Sequence, residues 1–334
     1  MPEEQLQNSL VKEHDEHESE QSEEEENENE LANIEEGLLD EYPEDTTEID
    51  AVHLRISSIP NLNLTRFPQL ERLCLRQNLI LDIEGFEGLD KLVELDLYDN
   101  KIKHVRGLNQ ITSLQYLDLS FNKIKHIKNI DQLTNLSDLF FVSNRISKIE
   151  NLDTLVQLDN LELGANKIRV IENLDQLVNL TKLWLGKNKI TRLENLSPLR
   201  NLQILSIQSN RITKLEGLEE LHNLQELYLS HNAIEKIEGL ENNLKLKTLD
   251  VANNKIKHIE NMSHLTQLED FWANNNLFES ECFGELTKEL GDIKTLDTIY
   301  LEGNPMQAAN RATYRNKVHL ALPQVRQIDA TYIK

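Results

Sequence analysis

The sequence predicts an α/β solenoid with a curved parallel sheet of about 11–12 strands on its concave face, a convex face mostly of 3₁₀ turns and loops, and a C-terminal cap. Three observations predict it. Asparagine stands at positions 78, 100, 122, 144, 166, 188, 210, 232, 254 and 276, always 22 residues apart, with an eleventh at Asn304. Ahead of each runs LxxLxLxxN, for example Leu114, Leu117, Leu119 and Asn122, with departures such as Phe271 and Ala273 in the tenth copy. Seven residues past each of the first nine asparagines stands Gly or Asn: Gly85, Gly107, Asn129, Asn151, Asn173, Asn195, Gly217, Gly239 and Asn261. Together these make the leucine-rich repeat, one supersecondary unit stacked many times over.

Each element follows in chain order. Residues 1–50 hold 21 Asp or Glu and one Lys, a net of −20, whereas residues 51–334 hold 37 acids and 34 bases, a net of −3. A run such as "EHESEQSEEEENENE" cannot bury enough apolar surface to offset its ordering entropy, so residues 1–45 read as a disordered acidic tail. Ser22, followed by four glutamates, has the form of an acidophilic kinase site. The array is expected over 46–304, opening with a weak copy (Ile49, Val52 and Leu54, with Ser57 at the asparagine position) that caps the stack.

Within a repeat, the two leucines of xLxLx point into the core and their neighbours point to the opposite face. The asparagine turns the chain out of the strand, and its amide is expected to satisfy buried backbone groups of its own and adjacent coils. The return path carries apolar residues every third position, as at Ile102, Val105, Leu108, Ile111 and Leu114. That spacing fits 3₁₀ turns at 3.0 residues per turn. The Gly/Asn column calls for a left-handed backbone or a helix-start cap. Between Asn276 and Asn304 the interval grows to 28, so "ESECFGELTKEL" is expected to form a longer helix. Over 305–334, "AANRATYRNKVHLAL" reads as an amphipathic capping helix halted by Pro323, with Tyr314, Val318, Leu322 and Ile328 in the cap core.

Chemistry is scarce. The chain contains no GxxxxGK[ST], HExxH, GxSxG or CxxC motif, so no enzyme activity, cofactor or metal is expected. His104, His126 and His258 share one repeat position and read as solvated loop residues, and His14 with His17 is too sparse a pair for a metal site. Cys74 and Cys282 make no disulfide framework, the start MPEEQLQ has no signal-peptide character, and no stretch approaches a membrane span. These features suggest an intracellular chain.

Function is then expected in the positions that the fold leaves free. Between the strand leucines the middle column reads Cys74, Asp96, Asp118, Phe140, Glu162, Trp184, Ser206, Tyr228, Asp250, Trp272 and Tyr300. Five of eleven are aromatic, in a chain that is 5% aromatic, and both tryptophans are here. With the flanking columns the face has nine acids (Glu94, Asp138, Glu226, Asp270 and Glu302 among them) and three bases, Arg72, Arg76 and Lys182. Such a face repels nucleic acid, which needs clustered Lys and Arg. It suits a folded, partly basic protein anchored by aromatics.

The uniform 22-residue repeats, the acidic N-terminal extension and the ending "LEGNP…YR…LPQVRQID" resemble, over residues 45–334, the leucine-rich-repeat regulatory subunit 7 family of type 1 serine/threonine protein phosphatase. The resemblance implies that the concave face grips the phosphatase catalytic subunit. The family's alternation of acid and aromatic maps onto Asp118, Phe140, Glu162 and Trp184, then onto Asp270, Trp272 and Tyr300; Trp184 stands where the family can carry Phe. Tyr228 joins these candidates from the column itself. The resemblance also implies a ternary complex with a small inhibitor subunit, a role in chromosome segregation, residence in nucleus and cytoplasm, and a chain that is monomeric by itself. The [RK]VxF docking segment of many phosphatase partners is absent, so binding is expected through the folded surface. Two alternatives stand beside this reading: an acidic histone-binding chaperone, in which the tail is the binding element, and a general scaffold.

Overall fold

A strand-forming leucine pair every 22 residues leaves each coil one way to bury its apolar side chains, which is to stack on its neighbours. The computed structural model describes Glu35 and residues 37–333, and the expectation for residues 1–34 and 36 lies outside them. Twelve strands of three residues run parallel and in register: β1 (Glu48–Asp50), β2 (Arg72–Cys74), β3 (Glu94–Asp96), β4 (Tyr116–Asp118), β5 (Asp138–Phe140), β6 (Asn160–Glu162), β7 (Lys182–Trp184), β8 (Ile204–Ser206), β9 (Glu226–Tyr228), β10 (Thr248–Asp250), β11 (Asp270–Trp272) and β12 (Thr298–Tyr300). A two-residue parallel β13 (Gln327–Ile328) and an antiparallel β14 (Thr331–Tyr332) extend the sheet to fourteen strands. The leucine-rich-repeat solenoid is therefore the fold; its twelve three-residue strands match the expected number, and β13 and β14 add two.

Each coil fills the core alike. In the fourth, Leu117, Leu119, Ile124, Ile127, Ile130 and Leu133 are all fully buried. The asparagine ladder joins coil to coil. Asn166 donates Nδ2 to the carbonyls of Leu163 and Gly164 in its own coil and of Phe141 in the preceding one, at 2.8–3.1 Å, while its Oδ1 accepts from the Ile146 amide at 3.0 Å. The Gly/Asn column is left-handed throughout, from Gly85 at φ 84° to Asn261 at φ 58°. Two chemistries serve it. A Cβ on Gly107 would sit 2.1 Å from the Ile83 carbonyl oxygen, so only glycine allows that approach. Asn129 instead donates Nδ2 to the equivalent carbonyl, that of Val105, at 2.7 Å.

As expected, the convex path is made of i→i+3 turns and loops, as at Leu108–Ile111 and Ile111–Leu114, with continuous 3₁₀ helix among the described residues only at Pro60–Leu62 and Leu64–Arg66; three other expectations are corrected. Separate turns still deliver every third side chain inward while the backbone between them stays extended. In the opening coil, Ile49 pairs with Leu73, so Ile49 and Ala51 fill the core and Leu54, 39% exposed, takes the asparagine position. That first coil is offset by 24 residues, so the expected copy, with Ser57 at the asparagine position, is three residues out of register. The tail boundary at 45 is also too late. Glu35 and Leu39 are buried, with Leu38 and Tyr42 packed beside them, because the open end of the first coil must be covered. Finally, the C-terminal helix is split.

The inserted helix is present as α1 (Cys282–Leu290), burying Cys282, Leu286 and Leu290. Beyond Asn304 come α2 (Pro305–Ala309) and α3 (Tyr314–Ala321), divided where Asn310 turns its amide back onto the Met306 carbonyl at 2.9 Å. Tyr314, Val318, Leu322 and Ile328 are buried as expected, and Tyr314 donates its hydroxyl to Asp329 at 3.0 Å. Among the described residues no helix is long and apolar enough to cross a membrane.

Candidate functional site

Strand alternation sends the middle residue of each triplet inward and leaves its two neighbours on the concave face. In-register pairing then converts a sequence column into a physical row: Asp118 lies beside Phe140, Phe140 beside Glu162, and Glu162 beside Trp184. Past Ser206 the row continues through Tyr228, Asp250, Trp272 and Tyr300. All eight candidates, Asp118, Phe140, Glu162, Trp184, Tyr228, Asp270, Trp272 and Tyr300, stand on this one surface. Asp270 occupies the first position of β11, in the neighbouring row.

The row has two aromatic centres. Toward the N-terminal half, Tyr116 packs against Phe140 with ring centroids 5.2 Å apart, and the Trp184 indole donates to Asn160 Oδ1 at 3.0 Å. Toward the C-terminal half, Trp272 meets Tyr300 edge-on at 6.4 Å and Tyr228 at 6.2 Å. Because Tyr228 and Trp272 are two strands apart, their rings lean together over Asp250, which lies between them and is 8% exposed. The Tyr228 hydroxyl is held by Glu226 at 2.7 Å. The Trp272 indole N–H differs from that of Trp184: it is buried and has no hydrogen-bond partner among the described residues. A depression of about 400 Å³ opens beside it, lined by Ser230, Asp250, Trp272, Asn274, Tyr300 and Glu302 among others.

The carboxylates divide by chemistry. Asp96, Asp118 and Asp250 each accept the backbone N–H two residues on, from Tyr98 at 3.0 Å, Ser120 at 2.8 Å and Ala252 at 3.0 Å. These are Asx turns that finish the strand. Asp118, only 7% exposed, is therefore in part a structural residue, which its place in the column did not reveal. Glu162 makes no such bond and stays half-buried on the face. Burial pushes all four acids above the ordinary carboxylate range, and the charge of Asp118 adds to the effect at Asp96 and Glu162. Arg76, 3.2 Å from Asp96 and stacked over Tyr98, offsets part of this at the N-terminal end. Tyr116, Asn160, Glu226 and Asp250 complete the site beyond the expected set. Their signal in the sequence is only their strand position.

Away from this face, ligand atoms of His258, Cys282 and Glu285 lie within 4.8 Å of one another. Each is already partnered: His258 Nδ1 pairs with Glu285 at 2.9 Å, Glu285 accepts the Ile259 amide at 2.8 Å, and Cys282 donates to the Lys257 carbonyl at 3.4 Å. The trio pins α1 to the preceding coil.

Comparison with known proteins agrees with the fold. Family models described as leucine-rich repeat match residues 68–124 and 113–220, and a two-copy leucine-rich-repeat model matches 200–242. An internalin of Listeria monocytogenes superposes with a TM-score of 0.68 at 24% identity, over 91% of this chain and 95% of that one. A leucine-rich-repeat protein of Leptospira interrogans gives 0.63 at 23%, over 80% and 79%. Both likenesses speak to the fold alone. In sequence, the chain is 55% identical over 69 residues to "Protein phosphatase 1 regulatory subunit SDS22" of Schizosaccharomyces pombe, covering 21% of this chain and 20% of that protein. It is 53% identical over 63 residues to the Saccharomyces cerevisiae protein of the same description, covering 18% and 19%. With "Protein phosphatase 1 regulatory subunit 7" of Homo sapiens it shares 54% over 46 residues, covering 14% and 12%. The matched stretches thus span a fifth or less of these relatives' length.

Proposed function

We propose that this chain, a leucine-rich-repeat protein related in sequence to protein phosphatase 1 regulatory subunits, is itself a non-catalytic regulatory subunit that binds the catalytic subunit of type 1 serine/threonine phosphatase through its concave face. It controls the activity, maturation or location of the enzyme, in nucleus and cytoplasm and including in mitosis. A small inhibitor subunit can join the complex. The observation that carries the reading is the concave row itself: two aromatic centres, with Glu162 set among the rings of the first and Asp250 among those of the second, each carboxylate's charge held at a cost by burial.

The chemistry indicates what the partner must bring. Half-buried aromatic rings are the usual anchors of protein interfaces, since covering them completes a desolvation already begun. Carboxylates whose charged form is disfavoured by burial gain from an incoming cation, which favours that form. The depression beside Trp272 offers Asp250 and Glu302 with an aromatic wall, which suits a partner's Lys or Arg side chain.

Pull-down of the phosphatase with two single variants tests the reading. Trp272→Ala is expected to cost roughly 2–4 kcal/mol of binding, as interfacial anchors do, while fold stability falls by about 1 kcal/mol or less, since the ring is only half covered. Glu162→Lys places a cation where a basic surface arrives and is expected to abolish capture by like-charge repulsion. Full capture by both variants, with thermal melts unchanged, would sink the proposal. Mass spectrometry of the captured proteins separates it from histone binding.

A further inference from the structure

The edge of the solenoid where each coil leaves its asparagine has the opposite charge from the concave face. The residue directly after the ladder asparagine is Lys101, Lys123, Arg145, Lys167, Lys189 and Arg211 in six consecutive coils. Its register is fixed, because each backbone amide donates to an isoleucine carbonyl of the previous coil, from Lys101 to Ile80 at 2.9 Å through Arg211 to Ile190 at 2.8 Å. Two residues further on come Lys103, Lys125 and Arg169 on the same edge. These two columns hold nine bases and no acid across six coils.

Some cations further along the coils are paired within the fold: Arg106 with Asp82, and Arg192 with Glu216 at 3.1 Å. None of the nine edge cations has an ion pair with another described residue, although all are exposed or half-exposed. Like charges repeating every ~4.8 Å along a parallel sheet repel one another. An unpaired ridge of this kind is a surface that an acidic chain would stabilise.

The described N-terminus begins on the same edge, two coils before Lys101. The Glu35 side chain accepts the amides of Ser57 and Ser58 and the Asn61 Nδ2 at 2.9 Å, and Ser57 is the first coil's counterpart of the column that later carries Lys103 and Lys125. Residues 13–30, just upstream, hold eleven acids in eighteen positions and no Lys or Arg. Reach is sufficient: about twenty residues at ~3.3 Å each exceed the roughly 35 Å from the first coil to the eighth at ~4.8 Å per coil.

We infer that residues 13–30 of this chain dock on the basic edge formed by Lys101, Lys123, Arg145, Lys167, Lys189 and Arg211. The edge lies outside the concave row, so the inference stands or falls separately from the phosphatase reading.

Zero-length carbodiimide coupling of the full chain, which joins a lysine amine to a carboxylate with loss of water, tests it by peptide mapping. At low ionic strength, links from residues 13–30 to Lys101, Lys123, Lys167 and Lys189 are expected at roughly tenfold the yield of links to Lys91, Lys245 and Lys294, and they should vanish in about 1 M salt, where screening acts within ~3 Å. The full-length variant Lys123→Gln/Arg145→Gln/Lys167→Gln/Lys189→Gln should lose the links to the remaining edge lysines while melting as the wild type does. Equal yields across all lysines would overturn the inference. So would links confined to covalent dimers, which indicate a second copy, or an edge that retards an oligonucleotide without ever linking to the tail.

Discussion

Before every ladder asparagine the backbone is left-handed: Gln77, Asp99, Phe121, Ser143, Ala165 and Lys187 all lie between φ 53° and 56°. Nothing in those residue types announces it, whereas the column seven residues past the asparagine was legible as Gly or Asn. The difference is what surrounds the Cβ. At the second column a carbonyl of the previous coil presses on the residue, so only glycine or a bonding asparagine fits. At the first the side chain is exposed or half-exposed, and packing of the whole coil carries a backbone cost of about 1–2 kcal/mol per residue. Ala165→Gly should therefore raise stability by about 0.5 kcal/mol, the relief of that strain less the entropy that glycine adds. A denaturant midpoint that falls would refute it.

Asp118 was read from its column as a contact residue, and its bond to the Ser120 amide was invisible there, because an Asx turn depends on backbone geometry. Burial raises its folded pKa above the unfolded value, so the stability it contributes is present below the unfolded value near about 4 and is lost as pH rises through the folded one. Asp118→Asn keeps an acceptor for Ser120 and removes the charge. The variant should be more stable than wild type at neutral pH, and the advantage should shrink as pH falls through the raised pKa. Paired urea titrations across that range would show a constant difference if the account is wrong.

At the scale of elements, the ladder and the end caps hold the stack. Asn166→Ala leaves the Ile146 amide and the Phe141 and Leu163 carbonyls short of a partner, and it should cost about 1–3 kcal/mol; an unchanged melting temperature would contradict the ladder's role. The strands, the ladder, α1 and the C-terminal cap core were all readable, since each repeats a pattern or interrupts one. The first coil was not, because its offset of 24 residues breaks the template and Ala51 is too small to stand out as core. Neither was the N-terminal cover, where "LLDEY" sits inside acidic surroundings that favour a reading of disorder. Leu39, 2% exposed, closes the end of the stack. Leu39→Ala should cost roughly 2–3 kcal/mol, and a melt identical to wild type would return those residues to the tail.

At the scale of the molecule, one period sets both shape and charge. A 22-residue repeat places each sequence column on one line of the surface, so the chain writes an acidic, aromatic concave row and a basic edge with the same spacing. The rows were legible as columns. What each row does within the fold was not, because Asx turns, ring contacts and ion pairs arise between side chains that the period only brings near.

Both tryptophans of the chain lie in the concave row, four strands apart on β7 and β11. The protein thus carries its own optical reporter. Indole emission depends on the polarity around the ring, and the two rings sit in different surroundings, Trp184 bonded to Asn160 and Trp272 walled by two tyrosines with its N–H unbonded among the described residues. Anything that covers the face changes the colour of the emitted light, while binding on the basic edge leaves it unchanged. With Trp184→Phe the signal comes from Trp272 alone, so the footprint of a partner along the row can be read from unlabelled protein in a cuvette.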